Sequence, residues 1–158
     1  MKAIMSNLLD ACGDEDQSTP LHHACNNGHM ELAMALVDRG ADVDARDDDQ
    51  RTPLHHACDN GNMELAFALV DSGADIDARD VNQKTPLHAA CYNGHMEVAM
   101  ALVDRGADVD ARDVYQSTPL HHACINGHIE SAMALVKKGA NVYSKSINGY
   151  KPICTFHD

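Results

Sequence analysis

Four copies of the tetrapeptide TPLH begin at Thr19, Thr52, Thr85 and Thr118, so the chain repeats itself every 33 residues. A period of that length marks a stacked-repeat architecture and restricts the fold more tightly than composition can. Cys25, Cys58, Cys91 and Cys124 keep the interval, as do Gly28, Gly61, Gly94 and Gly127, and the Gly-Ala pairs that begin at Gly40, Gly73, Gly106 and Gly139. Taken alone, the stretch TPLHHACNNGH, from Thr19 to His29, could be a metal or catalytic site. A motif stamped four times argues for structure instead, because such a site is normally singular.

One unit can be built from local rules. Thr19 before Pro20 predicts a helix start, with the hydroxyl accepting from an orphan backbone N–H and Pro placed where no N–H is needed. Leu21, Ala24 and Cys25 then form one apolar face of a short helix, which Gly28 ends by accepting a left-handed turn. A second helix is predicted from about Met30 to Arg39, with Leu32, Ala33, Leu36 and Val37 inward and Gly40 as its stop. The segment ADVDARDDDQR that follows has the alternation and polar turn residues of a two-stranded hairpin. No such unit buries its apolar face alone; stacked on neighbours, each fully buried Leu or Val contributes roughly 1.5–3 kcal/mol. With no Trp and two Phe in 158 residues, the core has to be assembled from small and medium side chains at close approach.

These residues carry a resemblance. TPLHxA, then NGHxE, then LVxxGADV is similar to the ankyrin repeat family, and the match runs from Asp16 to Ile147. The resemblance implies an all-α repeat solenoid, each repeat a helix-turn-helix plus a β-hairpin loop. It divides a single domain, 1–158, into an N-terminal capping helix (1–15), repeats at 16–48, 49–81, 82–114 and 115–147, and a truncated C-terminal cap (148–158). Two departures stand out. The family usually has Gly where this chain has Gln17, Gln50, Gln83 and Gln116, which implies a stiffer turn. It often has Asn where this chain has Asp44, Asp77 and Asp110, which leaves only a weaker aspartate substrate at a position commonly hydroxylated.

The family's TPLH histidine (His22, His55, His88 and His121 here) resembles a structural residue bonded between the Thr region and the neighbouring hairpin. The next position holds His23, His56 and His122, with Ala89 as the counterpart in the third repeat, and by resemblance it faces the concave groove as a solvated residue. Zinc spacings such as CxxC with HxxxH are absent. The acidic runs, such as Asp42, Asp44, Asp47, Asp48 and Asp49, lack the pattern of a calcium loop and read as hairpin surface. No phosphate loop, nucleophile elbow or dinucleotide fingerprint occurs, so no enzyme, cofactor or metal is expected. Stacking by resemblance sets equivalent cysteines beyond the roughly 7 Å between Cα atoms that a disulfide requires, and Cys12 and Cys154 lie in opposite caps. Six free thiols then point to a reducing compartment. Without a signal-like start or a window near the roughly 18 apolar residues of a membrane span, a cytoplasmic protein is expected, with the nucleus or a host-cell cytosol as options.

Differences between repeats separate scaffold from surface. Loop tips change along the stack from Asp48, Asp49 and Arg51 to Val81, Asn82 and Lys84, and then to Val114, Tyr115 and Ser117. On the first helix, His23 and Asn26 become His56 and Asp59, then Ala89 and Tyr92, then His122 and Ile125. Apart from Ala89, these are the expected partner-binding residues, with Tyr92, Tyr115 and Ile125 as anchors. Formal charge follows the same axis, from −5 in each of the first two repeats to +2 in the fourth, within a total of −12. The expected partner is another protein with a basic patch and an apolar or aromatic segment, rather than nucleic acid or membrane, bound by a monomer acting as adaptor or steric inhibitor. Two alternatives stand beside this: a metal- or pH-responsive binder using His23, His56 and His122, and a consensus-like engineered scaffold.

Overall fold

The computed structural model describes residues 16–153. They form eight helices in four pairs: α1 (Pro20–Asn26) and α2 (Met30–Asp38), α3 (Pro53–Asp59) and α4 (Met63–Asp71), α5 (Pro86–Tyr92) and α6 (Met96–Asp104), α7 (Pro119–Ile125) and α8 (Ile129–Lys137). Pairs stack in chain order, first helix on first helix and second on second, so each repeat packs on its neighbours. The expected capping helix at 1–15 and the last residues of the C-terminal cap lie outside the described residues.

The core is as thin as the composition demands. Leu21, Leu54, Leu87 and Leu120 are buried with Ala24, Ala57, Ala90 and Ala123 and the cysteines beside them, and Leu36, Leu69, Leu102 and Leu135 close the layer from the second helices. Leu32 departs from its inward assignment and is half exposed, as its later counterpart Leu65 is not.

Each first helix starts on a capping box in which histidine stands where Glu usually does: Thr52 caps the helix and His55 bonds back to it. Glycine is required at the helix turn of the second repeat. Gly61 has φ +69, and a Cβ there would come within 2.5 Å of the His95 ring, whose Nε2 donates to the Asp59 carbonyl at 2.9 Å. Gln17, Gln50, Gln83 and Gln116 all take left-handed φ values between 56 and 60. They hold the conformation glycine would, at a steric cost of about 1–2 kcal/mol per residue.

The predicted hairpins fold as tight turns, and no strand forms among the described residues. Asp47 N–H donates to the Arg51 carbonyl at 3.1 Å and Gln50 N–H to the Asp47 carbonyl at 2.8 Å. Successive loops share one backbone bond per junction, from the N–H of Asp48 to Asp16, of Val81 to Asp49, of Val114 to Asn82 and of Ile147 to Tyr115. One bond per junction is too few for the alternating pairs of an antiparallel ladder. Side chains supply the rest. Arg46 Nη1 bonds the carbonyls of Gln50 and Arg79, and Arg79 and Arg112 repeat the link one unit on. Asp44, Asp77 and Asp110 accept from the backbone of the next loop at Asp75, Asp108 and Asn141.

One cysteine departs from expectation. Cys25, Cys58 and Cys91 are free and buried, whereas Cys124 is disulfide-bonded. The spacing of equivalent repeat positions excludes only repeat-to-repeat pairing, and Cys124 does not pair with another repeat cysteine. With one thiol oxidised, cysteine usage no longer points to a reducing compartment.

Candidate functional site

The loop tips and the outer sides of α1, α3, α5 and α7 make up the expected binding face. The TPLH histidines brace it from inside. Nδ1 of His22 accepts from Thr19 N–H at 3.0 Å, which places the ring proton on Nε2, and Nε2 donates to the Arg51 carbonyl at 3.0 Å. His55, His88 and His121 repeat this with Lys84, Ser117 and Tyr150. Burial pushes His55 and His88 down to about 4, so these rings stay neutral.

Two of the second histidines, His56 and His122, are not solvated, contrary to expectation. Nε2 of His56 lies 2.9 Å from Asp47 Oδ2, and Nε2 of His122 lies 2.9 Å from Asp113 Oδ2. Asp47 and Asp113 themselves are buried, not loop surface. Each carboxylate folds its own turn: Asp113 Oδ1 accepts from Tyr115 and Ser117 N–H at 2.9 Å, and Asp47 Oδ1 accepts from Arg51 N–H at 2.8 Å. Burial lowers the pKa of His56 and His122, opposed by the bond to aspartate.

Two trios, His22–Asp47–His56 and His88–Asp113–His122, gather potential ligand atoms within 4.8 Å of one another. The chemistry of each trio is that of a hydrogen-bond network. The lone pair of His22 Nδ1 is used by Thr19 and its Nε2 proton by Arg51, as His88 uses Thr85 and Ser117. That leaves one histidine and one aspartate per trio, fewer than the three protein ligands of an open zinc site.

The remaining expected residues divide by exposure. His23, Asn26, Asp48, Asp49 and Asn82 are exposed, as are Val81, Tyr92, Val114, Tyr115 and Ile125, the last two at 60% and 76%. Arg51 is half-buried and ion-paired with Asp59, and Asp59 also accepts from Asn93 Nδ2 at 3.0 Å. Lys84 Nζ lies 5.5 Å over the Tyr92 ring. Ser117 is buried and does not belong to the face: its N–H and carbonyl serve Asp113 and His88. Sequence reasoning misses the turn-folding role of Asp47, Asp80 and Asp113. Their signal is a carboxylate four residues before the residue whose N–H it takes, in Asp47–Arg51, Asp80–Lys84 and Asp113–Ser117.

Among the described residues, no helix is long and apolar enough to cross a membrane. A family model described as ankyrin repeats (3 copies) matches residues 1–80 and 60–146. An ankyrin repeat protein of Fowlpox virus (strain NVSL) is 42% identical over 36 residues, a stretch that is 23% of this chain and 8% of the viral protein. Ankyrin repeats generally serve as protein–protein interaction modules. On the family match and the four stacked helix pairs, the chain belongs to the ankyrin repeat family.

Proposed function

We propose that the chain is a non-enzymatic interaction module that binds a partner protein on the concave face of loop tips and first helices, as an adaptor or steric inhibitor. The observation that carries this is the line of exposed apolar side chains along the later half of that face: Val81, Tyr92, Val114, Tyr115 and Ile125. None of them is needed for the buried core, and large apolar groups gathered on one surface mark contact sites. The acidic early repeats and the +2 fourth repeat support a partner that docks in one direction, basic end first.

The test is capture from lysate by the full chain and by a Tyr92→Ala, Tyr115→Ala, Ile125→Asp variant shown to be folded by circular dichroism. A partner retained by the natural chain and lost by the variant supports the reading. Equal capture by both moves the site elsewhere. Reversing Asp48, Asp49 and Asp59 should slow association and flatten its salt dependence; an unchanged rate would refute the charge-directed docking.

A further inference from the structure

Three loop-to-helix junctions can be compared, and one of them lacks a side chain that the other two share. At two of them a histidine of the first helix bonds the loop aspartate of the preceding repeat, His56 to Asp47 and His122 to Asp113. At the junction between the second and third repeats the loop aspartate is Asp80 and the helix position is Ala89. Asp80 still folds its turn, with Oδ1 accepting from Asn82 and Lys84 N–H at 2.8 Å. Replacing a ring by a methyl leaves room, and a cleft of about 280 Å³ opens there, bordered by Asp80, Ala89, Arg51, Asp59, Lys84 and Tyr92.

We propose that this cleft receives a planar nitrogen donor from the partner, an imidazole or guanidinium, whose N–H bonds the Asp80 carboxylate as His56 and His122 bond theirs. The two filled junctions show what this backbone geometry accepts over a loop aspartate: a flat ring with its nitrogen 2.9 Å from the carboxylate. Charge points the same way. Of the two cations at the cleft, Arg51 is paired with Asp59 and Lys84 lies over the Tyr92 ring, while Asp49 and Asp80 add negative charge to the lining. The cleft is also lined by Val81 and Tyr92, so a segment lying on the apolar line would reach it with one side chain. This inference rests on the interaction-module reading and names the chemistry of its recognition.

Imidazole itself is the probe, titrated into the isotope-labelled full chain and followed by NMR, with acetate as the anionic control. The expected result is saturable shifts at the amides of Asn82, Lys84 and Ala89 in the millimolar range, since so small a probe has few atoms to bind with. Ala89→His, whose own ring would fill the cleft, should abolish them, and Asp80→Asn should weaken them several-fold. His56→Ala should create a matching vacancy over Asp47 and a second set of shifts there. Absence of saturable shifts at Asn82, Lys84 and Ala89, or a preference for acetate, overturns the cleft assignment; partner capture that still depends on Tyr115 and Ile125 would then leave the module intact. Capture indifferent to Tyr115 and Ile125 moves the partner site off this face and overturns this inference with it.

Discussion

The ring of His55 joins two repeats: Nδ1 accepts from Thr52 N–H at 3.1 Å, and Nε2 donates to the Lys84 carbonyl, 29 residues on, at 3.0 Å. Both bonds need the neutral tautomer with its proton on Nε2. Protonation removes the acceptor that Thr52 uses and puts a charge where burial disfavours it.

Stability should therefore fall with acid through a defined window. His55 and His88 sit at about 4 against an ordinary 6.5, so the unfolded chain takes up these protons first. Their contribution is complete above pH 6.5 and is lost as pH falls towards 4, at about 3 kcal/mol for each ring. Urea unfolding at neutral pH and at the bottom of that window should differ by several kcal/mol. His55→Asn should be less stable at neutral pH and show a shallower profile.

Left-handed glutamines are a reservoir of strain. Gln50 has φ 58 and Gln83 φ 60, and glycine takes that conformation freely, against an entropic cost of roughly 0.5–1 kcal/mol in the unfolded chain. Gln50→Gly and Gln83→Gly should each stabilise the fold by about 0.5–1 kcal/mol, read as a higher urea midpoint at unchanged slope.

Aspartates at equivalent loop positions should differ in weight. Asp113 is buried and takes bonds from Tyr115, Ser117 and His122, whereas Asp80 is half-buried and has Ala89 in place of the histidine. Asp113→Ala should cost about 3–5 kcal/mol by stranding buried donors, and Asp80→Ala at least about 1 kcal/mol less. Thermal melts of the two variants decide it.

The buried thiols should be inert. Burial pushes Cys25 up to about 12 and raises Cys58 and Cys91 as well. A thiol reagent at mildly alkaline pH should leave these three unmodified in the native chain and label them once it is unfolded. Modification of the folded protein at any of them would show that the stack opens there.

The proposed binding face should tolerate change that the core does not. Tyr115→Ala and Ile125→Asp remove exposed side chains, and each should shift stability by no more than about 0.5 kcal/mol. Leu87→Ala, in the fully buried layer, should cost about 2–5 kcal/mol.

The repeat and its helices are legible in the sequence because each depends on local spacing, and the bracing role of the TPLH histidine follows from the family resemblance. What is not legible depends on contacts across repeats. Asp47 reads as one more acid in an acidic loop, yet His56, nine residues on, takes it inside. Ser117 varies between repeats as a surface residue would, but its backbone makes the bonds, so the side chain is free to change. The left-handed backbone at Gln50 is hidden because glutamine carries no preference for it, and the turn imposes it. Cys124 escapes because comparing repeats weighs only equivalent positions.

The arginine chain from Arg46 through Arg79 to Arg112 passes tension only to the adjacent loop. Pulled from its two ends, such a molecule behaves as a row of clasps in series rather than a single knot. Force opens the weakest clasp first, and the repeats on either side of it stay closed. The junction at Ala89 lacks the histidine–aspartate clasp of its neighbours, yet two other imidazole clasps still close it, His55 on the Lys84 carbonyl and His95 on the Asp59 carbonyl.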